Sequence, residues 1–241
     1  IPVDRVERSG CVAWSPAETA TINGWQLSRN GGFTRRLNSA TAIGHADTSL
    51  TTRDAIQDWL ADHGAPLTIR VTPLLDSDTL ARCEETWGLI SLDETVVMSI
   101  EPGGGSAVAG IDLVDPLDDA FVSELLALNG RTPDMQPQWD AVVARIMPHA
   151  TGLWVPGEGV GFVAINDGIA WVFSVAVHSE LRRRGLATRL MATANSWASA
   201  RSAEMVFLQV LGTNRAAGEL YEKLGYVEAY RYSYLQPRSS S

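Results

Sequence analysis

The stretch that most constrains the fold is residues 175–188. It begins with an apolar run, Val175-Ala176-Val177, and passes through His178-Ser179-Glu180-Leu181 to three consecutive arginines, Arg182, Arg183 and Arg184. Gly185-Leu186-Ala187-Thr188 then opens an amphipathic segment with Leu186, Leu190, Ala194 and Trp197 on one stripe. This pattern predicts a strand, a short turn and a helix N-terminus. The first N–H groups of a helix have no partner within it, and the helix dipole makes that end electropositive. A phosphate satisfies both. Gly185 and Ala187 are small enough to admit backbone close to a ligand, and the arginines add forked donors. A pyrophosphate is therefore expected on residues 183–188.

Composition narrows the classes around this feature. A chain of 241 residues, 45% of them hydrophobic, can bury a real core. A formal net charge of −9 disfavours general nucleic-acid binding and is compatible with an amine substrate. No apolar run is long enough to span a bilayer. The opening Ile1-Pro2-Val3-Asp4-Arg5 lacks a secretory core, and without an initiating Met the chain is expected to be less than its full gene product. The two cysteines, Cys11 and Cys83, are far apart and suggest free thiols in a reducing cytoplasm, with no metal site and no disulfide framework.

The chain alternates strand and helix signals, which predicts an α/β fold with a mixed sheet. Cys11–Trp14, Gly24–Ser28 and Phe33–Leu37 read as short strands, with a hairpin turn at Asn30-Gly31-Gly32. Helices are expected from Thr52 to Gly64 and from Ser77 to Trp87, around a strand at Leu67–Val71. A strand pair follows at Leu89–Ile100, turning near Asp93-Glu94. Glu101-Pro102-Gly103-Gly104-Gly105-Ser106 is the clearest linker signal. It sets an expected first domain at 1–102, a linker and first strand at 103–115, and a second domain at 116–238. In that second part, helices are predicted at Leu117–Leu128 and Pro137–Met147. Strands are predicted at Thr151–Val155, Val160–Ile165 and Ile169–Val177, with a hairpin turn at Asn166-Asp167-Gly168. Helix Leu186–Ala200, strand Met205–Val210, helix Asn214–Leu224 and an alternating strand pair at Tyr226–Leu235 complete the order.

The halves echo one another. An offset of 138 carries Trp59 to Trp197, Ala65 to Ala203, Leu67–Val71 to Met205–Gln209 and Phe33–Ser39 to Trp171–Val177. The first copy has Ala42-Ile43-Gly44-His45-Ala46-Asp47-Thr48 where the second has its arginine turn. Asp47 would repel a phosphate. The amino-terminal half therefore reads as a smaller degenerate copy without a cofactor loop.

With these residues in view, 150–235 resembles the GCN5-related N-acetyltransferase (GNAT) superfamily. Its acyl-CoA signature, Arg/Gln-x-x-Gly-x-Gly/Ala after a strand, is matched by Arg182-Arg183-Arg184-Gly185-Leu186-Ala187. The preceding Val-x-Pro-x-x-Arg pattern corresponds to Val177–Arg182, with Ser179 where proline is frequent. The family's next motif resembles Asn214-Arg215-Ala216-Ala217-Gly218-Glu219-Leu220-Tyr221-Glu222-Lys223-Leu224-Gly225-Tyr226. One hexapeptide alone is weak, but two motifs in order within the right elements are specific. The two-copy arrangement resembles actinobacterial tandem members.

The resemblance implies acetyl-CoA as co-substrate, no metal, and direct acetyl transfer to a primary amine. The cofactor contacts implied are Val175, Ala176 and Val177 through their backbone, Arg182, Arg183, Arg184, Gly185, Leu186, Ala187 and Thr188 at the phosphates, and Asn214. Tyr221 is implied as the acid that protonates the departing thiolate, although an aromatic packing role is the plainer one for a tyrosine. Asn214 equally suits a helix cap. No general base is assigned. Strand 169–175 carries no carboxylate, Ser174 is no base by itself, His178 belongs beside the phosphates, and Glu158 and Asp167 look like turn residues. Met135, Trp139, Trp154 and Trp171 are candidates to line an acceptor pocket, with Arg131, Arg35 and Asn38 as candidates for recognition, though such residues are more often core or solvated surface. The expected acceptor is a small amino-acid-like amine, with neither nucleic acid nor membrane as partner. A non-catalytic CoA-binding module is the alternative.

Overall fold

In the computed structural model, residues 1–31, 34–42, 45–62, 64–103 and 108–238 are described. Helix α1 (Val3–Ala13) opens the chain and buries Val6, Glu7, Ser9, Gly10 and Ala13. The predicted strand at Cys11–Trp14 is thus the end of a helix, because four apolar-leaning residues carry too little periodicity to separate the two. Strands β1 (Glu18–Ile22) and β2 (Trp25–Arg29) form a hairpin. Its turn is Asn23-Gly24, both left-handed at φ 46° and 88°, as a two-residue hairpin turn requires. A Cβ on Gly24 would lie 2.2 Å from the His45 carbonyl oxygen, so glycine is also a packing requirement there. The predicted turn at Asn30-Gly31-Gly32 falls in the separate connection from β2 to the next strand, and its Gly32 lies outside the described residues, as does Phe33. Arg35–Leu37 is a 3-10 turn capped by Thr34 instead of a strand. The local hydroxyl cap satisfies backbone groups that a strand would leave to a ladder.

Next come β3 (Ser39–Ala42), α2 (Leu50–Ala61), β4 (Ile69–Val71), α3 (Ser77–Glu85), β5 (Leu89–Ser91) and β6 (Thr95–Ile100). Ser49 and Asp76 cap the two helices. The carboxyl-terminal part holds β7 (Asp112–Val114), α4 (Asp119–Leu128), α5 (Gln136–Ala144), β8 (Ala150–Val155), β9 (Gly159–Asn166), β10 (Ile169–Val177), α6 (Leu186–Ser199), β11 (Met205–Leu211), α7 (Arg215–Lys223) and β12 (Val227–Pro237). Asp167 and Gly168, at φ 51° and 69°, make the predicted hairpin turn between β9 and β10.

All strands join one mixed sheet in the order β1-β2-β3-β4-β12-β6-β11-β10-β9-β8-β7, with β5 also on β12. Two sequence expectations change here. β5 and β6 do not pair with each other; each pairs with a different part of β12. Where a strand pair was expected over 226–235 there is one long strand, Val227–Pro237, shifted in register between Glu228 and Tyr230. β12 runs along β6 through Tyr232 and then along β4 from Ser233, so it bridges the two halves.

Each half shows the same succession. β1, β2 and β3 are antiparallel neighbours and β3 runs parallel to β4 after α2. β8, β9 and β10 are likewise antiparallel, and β10 runs parallel to β11 after α6. The strand standing in β10's place is β3, and residues 35–37, which the offset of 138 sets against Phe173–Val175, form the turn before it. Of the first copy's loop, Ile43 and Gly44 lie outside the described residues, as do Gly104, Gly105 and Ser106 of the expected linker.

The expected division after residue 102 follows β6, yet β6 is hydrogen-bonded between β11 and β12. Helix α1 also packs on β9 and β10. Its Arg5 donates to Asp167 and Glu204, and Trp14 packs against Trp139 and Phe173 at 5.7 and 4.8 Å. One sheet face is covered by α1, α4 and α5 and the other by α6 and α7. Trp25, Leu27, Ile56, Leu60 and Ile69 centre a third core in the amino-terminal half. Among the described residues no helix is long and apolar enough to cross a membrane.

Candidate active site

β10 and β11 pair only from Ile169↔Met205 to Val172↔Leu208. β11 then continues along β6, while β10 continues along β9 after a register shift between Phe173 and Ala176. The two strands splay. Ser174 lies within the shift at φ 54°, an unfavourable conformation for a residue with a Cβ. Asn129 Nδ2 helps to hold it, donating to the Ser174 carbonyl at 3.3 Å and to that of Leu125 at 2.9 Å. Val175, Ala176 and Val177 are thereby left half-buried, with no ladder partner on the β11 side.

The chain then turns through Ser179–Leu181, and Arg182 Nε donates back to the Val177 carbonyl at 3.3 Å. Arg183 and Gly185 take left-handed conformations at φ 64° and 83°. Gly185 is the N-cap of α6 and supplies no side-chain cap, so the first N–H groups of the helix have no cap acceptor. Arg182, Arg183 and Arg184 are exposed.

A cavity of about 550 Å³ occupies the splay. Val175, Ala176, Val177, Arg182, Arg183, Gly185, Leu186, Ala187, Thr188, Asn214 and Tyr221 all line it; Arg184 does not. Open strand edge, positive loop and uncapped helix end thus face one space. Asn214 Oδ1 accepts from the Ala217 N–H at 3.3 Å, so it caps α7 while bordering the cavity.

A second cavity of about 480 Å³ adjoins the first and shares Asn129, Val175, Asn214, Ala217 and Tyr221 with it. Tyr221 stands at the junction and is 9% exposed. Burial raises its phenol above the ordinary tyrosine range. Tyr226, in contrast, is a packing residue whose hydroxyl donates to Asn195 Oδ1 at 2.8 Å.

The walls of the second cavity differ from expectation. Trp139 and Trp171 are fully buried core, Trp154 donates to Glu124 at 2.8 Å, and Met135 packs against the core. None of the four lines the cavity: Met135, Trp139 and Trp154 belong to elements away from the splay, and Trp171 precedes it on β10 and is buried in the core. Asn38 is also elsewhere: it accepts from the Asn30 N–H at 2.9 Å and donates to the Thr34 carbonyl at 2.6 Å. Arg131 and Arg35 do line the cavity. So do Trp14, Arg36, Gln209, Tyr232 and Tyr234, which sequence reasoning did not single out as lining residues. The available signal was the excess polarity of 34–36 for a buried strand. His178 is exposed beyond the strand end and does not line either cavity. Among the described residues no Asp, Glu or His lines the second cavity, and no group of three or more His, Cys, Asp or Glu is placed to hold a metal.

A buried ionic cluster stands behind this wall. Glu7 of α1 accepts from both terminal nitrogens of Arg70, one at 2.9 Å, and from the Tyr230 hydroxyl. Burial alone would raise its carboxyl. The Arg70 charge and hydrogen bonds, with Arg36 and Tyr230, outweigh that and hold it below the ordinary range.

The family model described as "Probable histone acetyltransferase Rv0428c C-terminal" matches residues 3–235. A curated relative, the "Uncharacterized N-acetyltransferase YobR" of Bacillus subtilis (strain 168), is 23% identical over 96% of this chain and 97% of its own. Among solved structures, a GCN5-related N-acetyltransferase from Kribbella flavida superposes with a TM-score of 0.72 at 16% identity, covering 98% of this chain and 95% of that one. A tandem GNAT protein from the clavulanic acid biosynthesis pathway superposes at 0.61 and 14% identity, covering 98% and 88%.

Proposed function

This chain belongs to the Rv0428c carboxyl-terminal acetyltransferase family and has the GCN5-related N-acetyltransferase fold, and on that premise we propose that it moves an acetyl group from acetyl-CoA to a primary amine of a small molecule by direct transfer. The observation that carries this reading is the single continuous path from the α6 N-terminus, along the open edge of β10, to Tyr221. The residues suit the cofactor. The uncapped N–H groups of α6 and the arginine loop match a pyrophosphate. The Val175–Val177 edge matches an extended amide-bearing arm, which pairs there as an added strand does.

Bound in this way, acetyl-CoA supplies an activated thioester. A strand N–H at the splay can donate to the acetyl oxygen, where negative charge grows during attack. The acceptor enters from the second cavity, and the shared wall brings the reactants together. A C–N bond forms and a C–S bond breaks. Tyr221, kept protonated by burial, donates its proton to the departing sulfur. With no carboxylate or imidazole on the acceptor wall among the described residues, the ammonium proton passes to solvent. Like charge from the neighbouring guanidiniums favours the neutral amine that attacks. Neither cysteine lines either cavity, and burial pushes the Cys83 thiol up to about 12, which fits transfer without a covalent enzyme intermediate. Free thiols also suit a cytoplasmic enzyme.

The family description names a histone acetyltransferase, which makes a basic protein tail the competing acceptor. The roofing of the second cavity by Trp14, Arg35 and Arg36 of the amino-terminal half supports a small molecule instead. The enzyme is separated from a CoA-binding module by Tyr221→Phe. Amine-dependent CoA release is expected to fall by about 10²–10⁴ in kcat, with the acetyl-CoA Kd changed by less than about twofold. A parent that binds acetyl-CoA yet releases no CoA with any amine would support the binding module, and an active parent matched by the variant would remove Tyr221 as the acid.

A further inference from the structure

The acceptor cavity is cationic in a protein of formal net charge −9. Arg35, Arg36 and Arg131 line it, and among the described residues no carboxylate or imidazole does. Arg35 is already matched, at the rim, by Asp93 at 3.1 Å. Arg36 is not. Its Cζ lies 5.0 Å from the Trp171 ring centroid, and its three guanidinium nitrogens are buried without a hydrogen-bond partner among the described residues. Close approach to α1 is possible only because residue 10 is glycine: a Cβ there would meet Arg36 Nη2 at 2.1 Å.

The buried carboxylate whose charge Arg36 feels, Glu7, is already held in a two-point pair by Arg70 and by the Tyr230 hydroxyl. Two guanidiniums thus share one carboxylate, and the cluster keeps one excess positive charge. A buried uncompensated charge is costly, and a ligand anion offsets it. Arg131, half-buried, approaches from the other wall, between α4 and α5, and that partial burial lowers its guanidinium below the ordinary range. In a partly desolvated cleft charge acts more strongly than at an open surface.

We infer that the acceptor is a small primary amine that also carries an anionic group, a carboxylate or a phosphate, attracted by Arg131 and by the excess charge at Arg36. This rests on the acetyl-transfer reading but concerns a different wall of the cleft. Arg36 and Arg131 are specificity determinants. They touch neither the sulfur nor the acetyl path, where Tyr221 and Val175 are placed. The same charge works against a lysine-rich peptide, whose cations would meet like charge.

Two measurements test this, one independent of turnover. With CoA present, calorimetry with two amine-free probes, a short monocarboxylate and the matching alkyl phosphate, is expected to show saturable binding of one or both, and the tighter probe identifies the anion. Size-matched primary amines bearing a carboxylate, a phosphate, no charge or a second ammonium are then compared with a lysine-rich peptide. An anionic amine is expected to lead the neutral one by about tenfold or more in kcat/KM. Arg131→Gln should collapse that ratio toward one, and Arg36→Lys should retain more of it than Arg36→Met, with thermal melts reporting folding. Equal or better turnover of neutral, cationic or peptide acceptors overturns the inference, as does an unchanged ratio in both Arg131→Gln and Arg36→Met. If no amine turns over, the acetyl-transfer reading fails; anion binding with CoA that Arg131→Gln weakens would still uphold the pocket, and absence of that binding would sink it.

Discussion

Glu7 shows at the scale of one residue how the two halves are tied together. It leaves α1, meets Arg70 of β4 and Tyr230 of β12, and feels Arg36 of the acceptor wall. A carboxyl held below its unfolded value stabilises the fold above that value, about 4.3, and the contribution fades as pH falls through the lower folded value. Glu7→Gln leaves Arg70 and Arg36 without their carboxylate, so the expected cost in urea unfolding at pH 7 is about 3–5 kcal/mol. The gap between parent and variant should narrow as pH drops below about 4. A cost under about 1 kcal/mol, constant with pH, would refute this. None of it was legible in the sequence, because the partners are 63 and 223 residues away. Tyr221 and Asn214 were legible because their motif is local to α7 and its cap. Arg36 was hidden for a further reason: a charge next to Leu37 reads as surface until α1 and Trp171 close over it.

Among the elements, the unit of β10, loop and α6 concentrates the chemistry. Gly185 is its pivot, at φ 83° with nothing within 4 Å of a Cβ built upon it. Gly185→Ala therefore tests backbone conformation without a clash. An expected loss of about 1–2 kcal/mol follows from the left-handed penalty. The acetyl-CoA Kd should rise roughly tenfold as the helix end is displaced. Gly218, inside α7 with equally open space, provides the contrast: Gly218→Ala should stabilise the protein by about 0.5–1 kcal/mol. Matching responses at the two positions would contradict the role given to Gly185. Strand, turn and helix here were readable because apolar run, glycine and helical stripe follow directly in sequence. The early segments were not. Cys11–Trp14 is too short to carry a period, and the Thr34 cap diverts 35–37 from the strand its residues suggest.

At the scale of the whole molecule, strand exchange decides how separable the halves are. β6 precedes the glycine-rich segment in sequence but completes the carboxyl-terminal sheet between β11 and β12, and β12 returns to β4 and β5. A chain trimmed to residues 103–241 would lose β6 and Trp14, opening the sheet beside β11 and uncovering Trp139 and Phe162. It is expected to lack a cooperative unfolding transition, whereas two independent domains would leave this fragment folded. Local spacing reveals that each half repeats strand, helix and strand, but not which distant edges pair, so the repeat was readable and the exchange was not. Both halves share the strand succession, yet among the described residues only β10–α6 joins an open strand edge to an uncapped, arginine-flanked helix start, while Ser49 caps α2. One cofactor per chain is therefore expected, bound in the carboxyl-terminal cleft. Calorimetric titration of the full chain with acetyl-CoA is the most direct test: one equivalent bound, with affinity weakened in Gly185→Ala, is the predicted result, and two equivalents, or none, would contradict it.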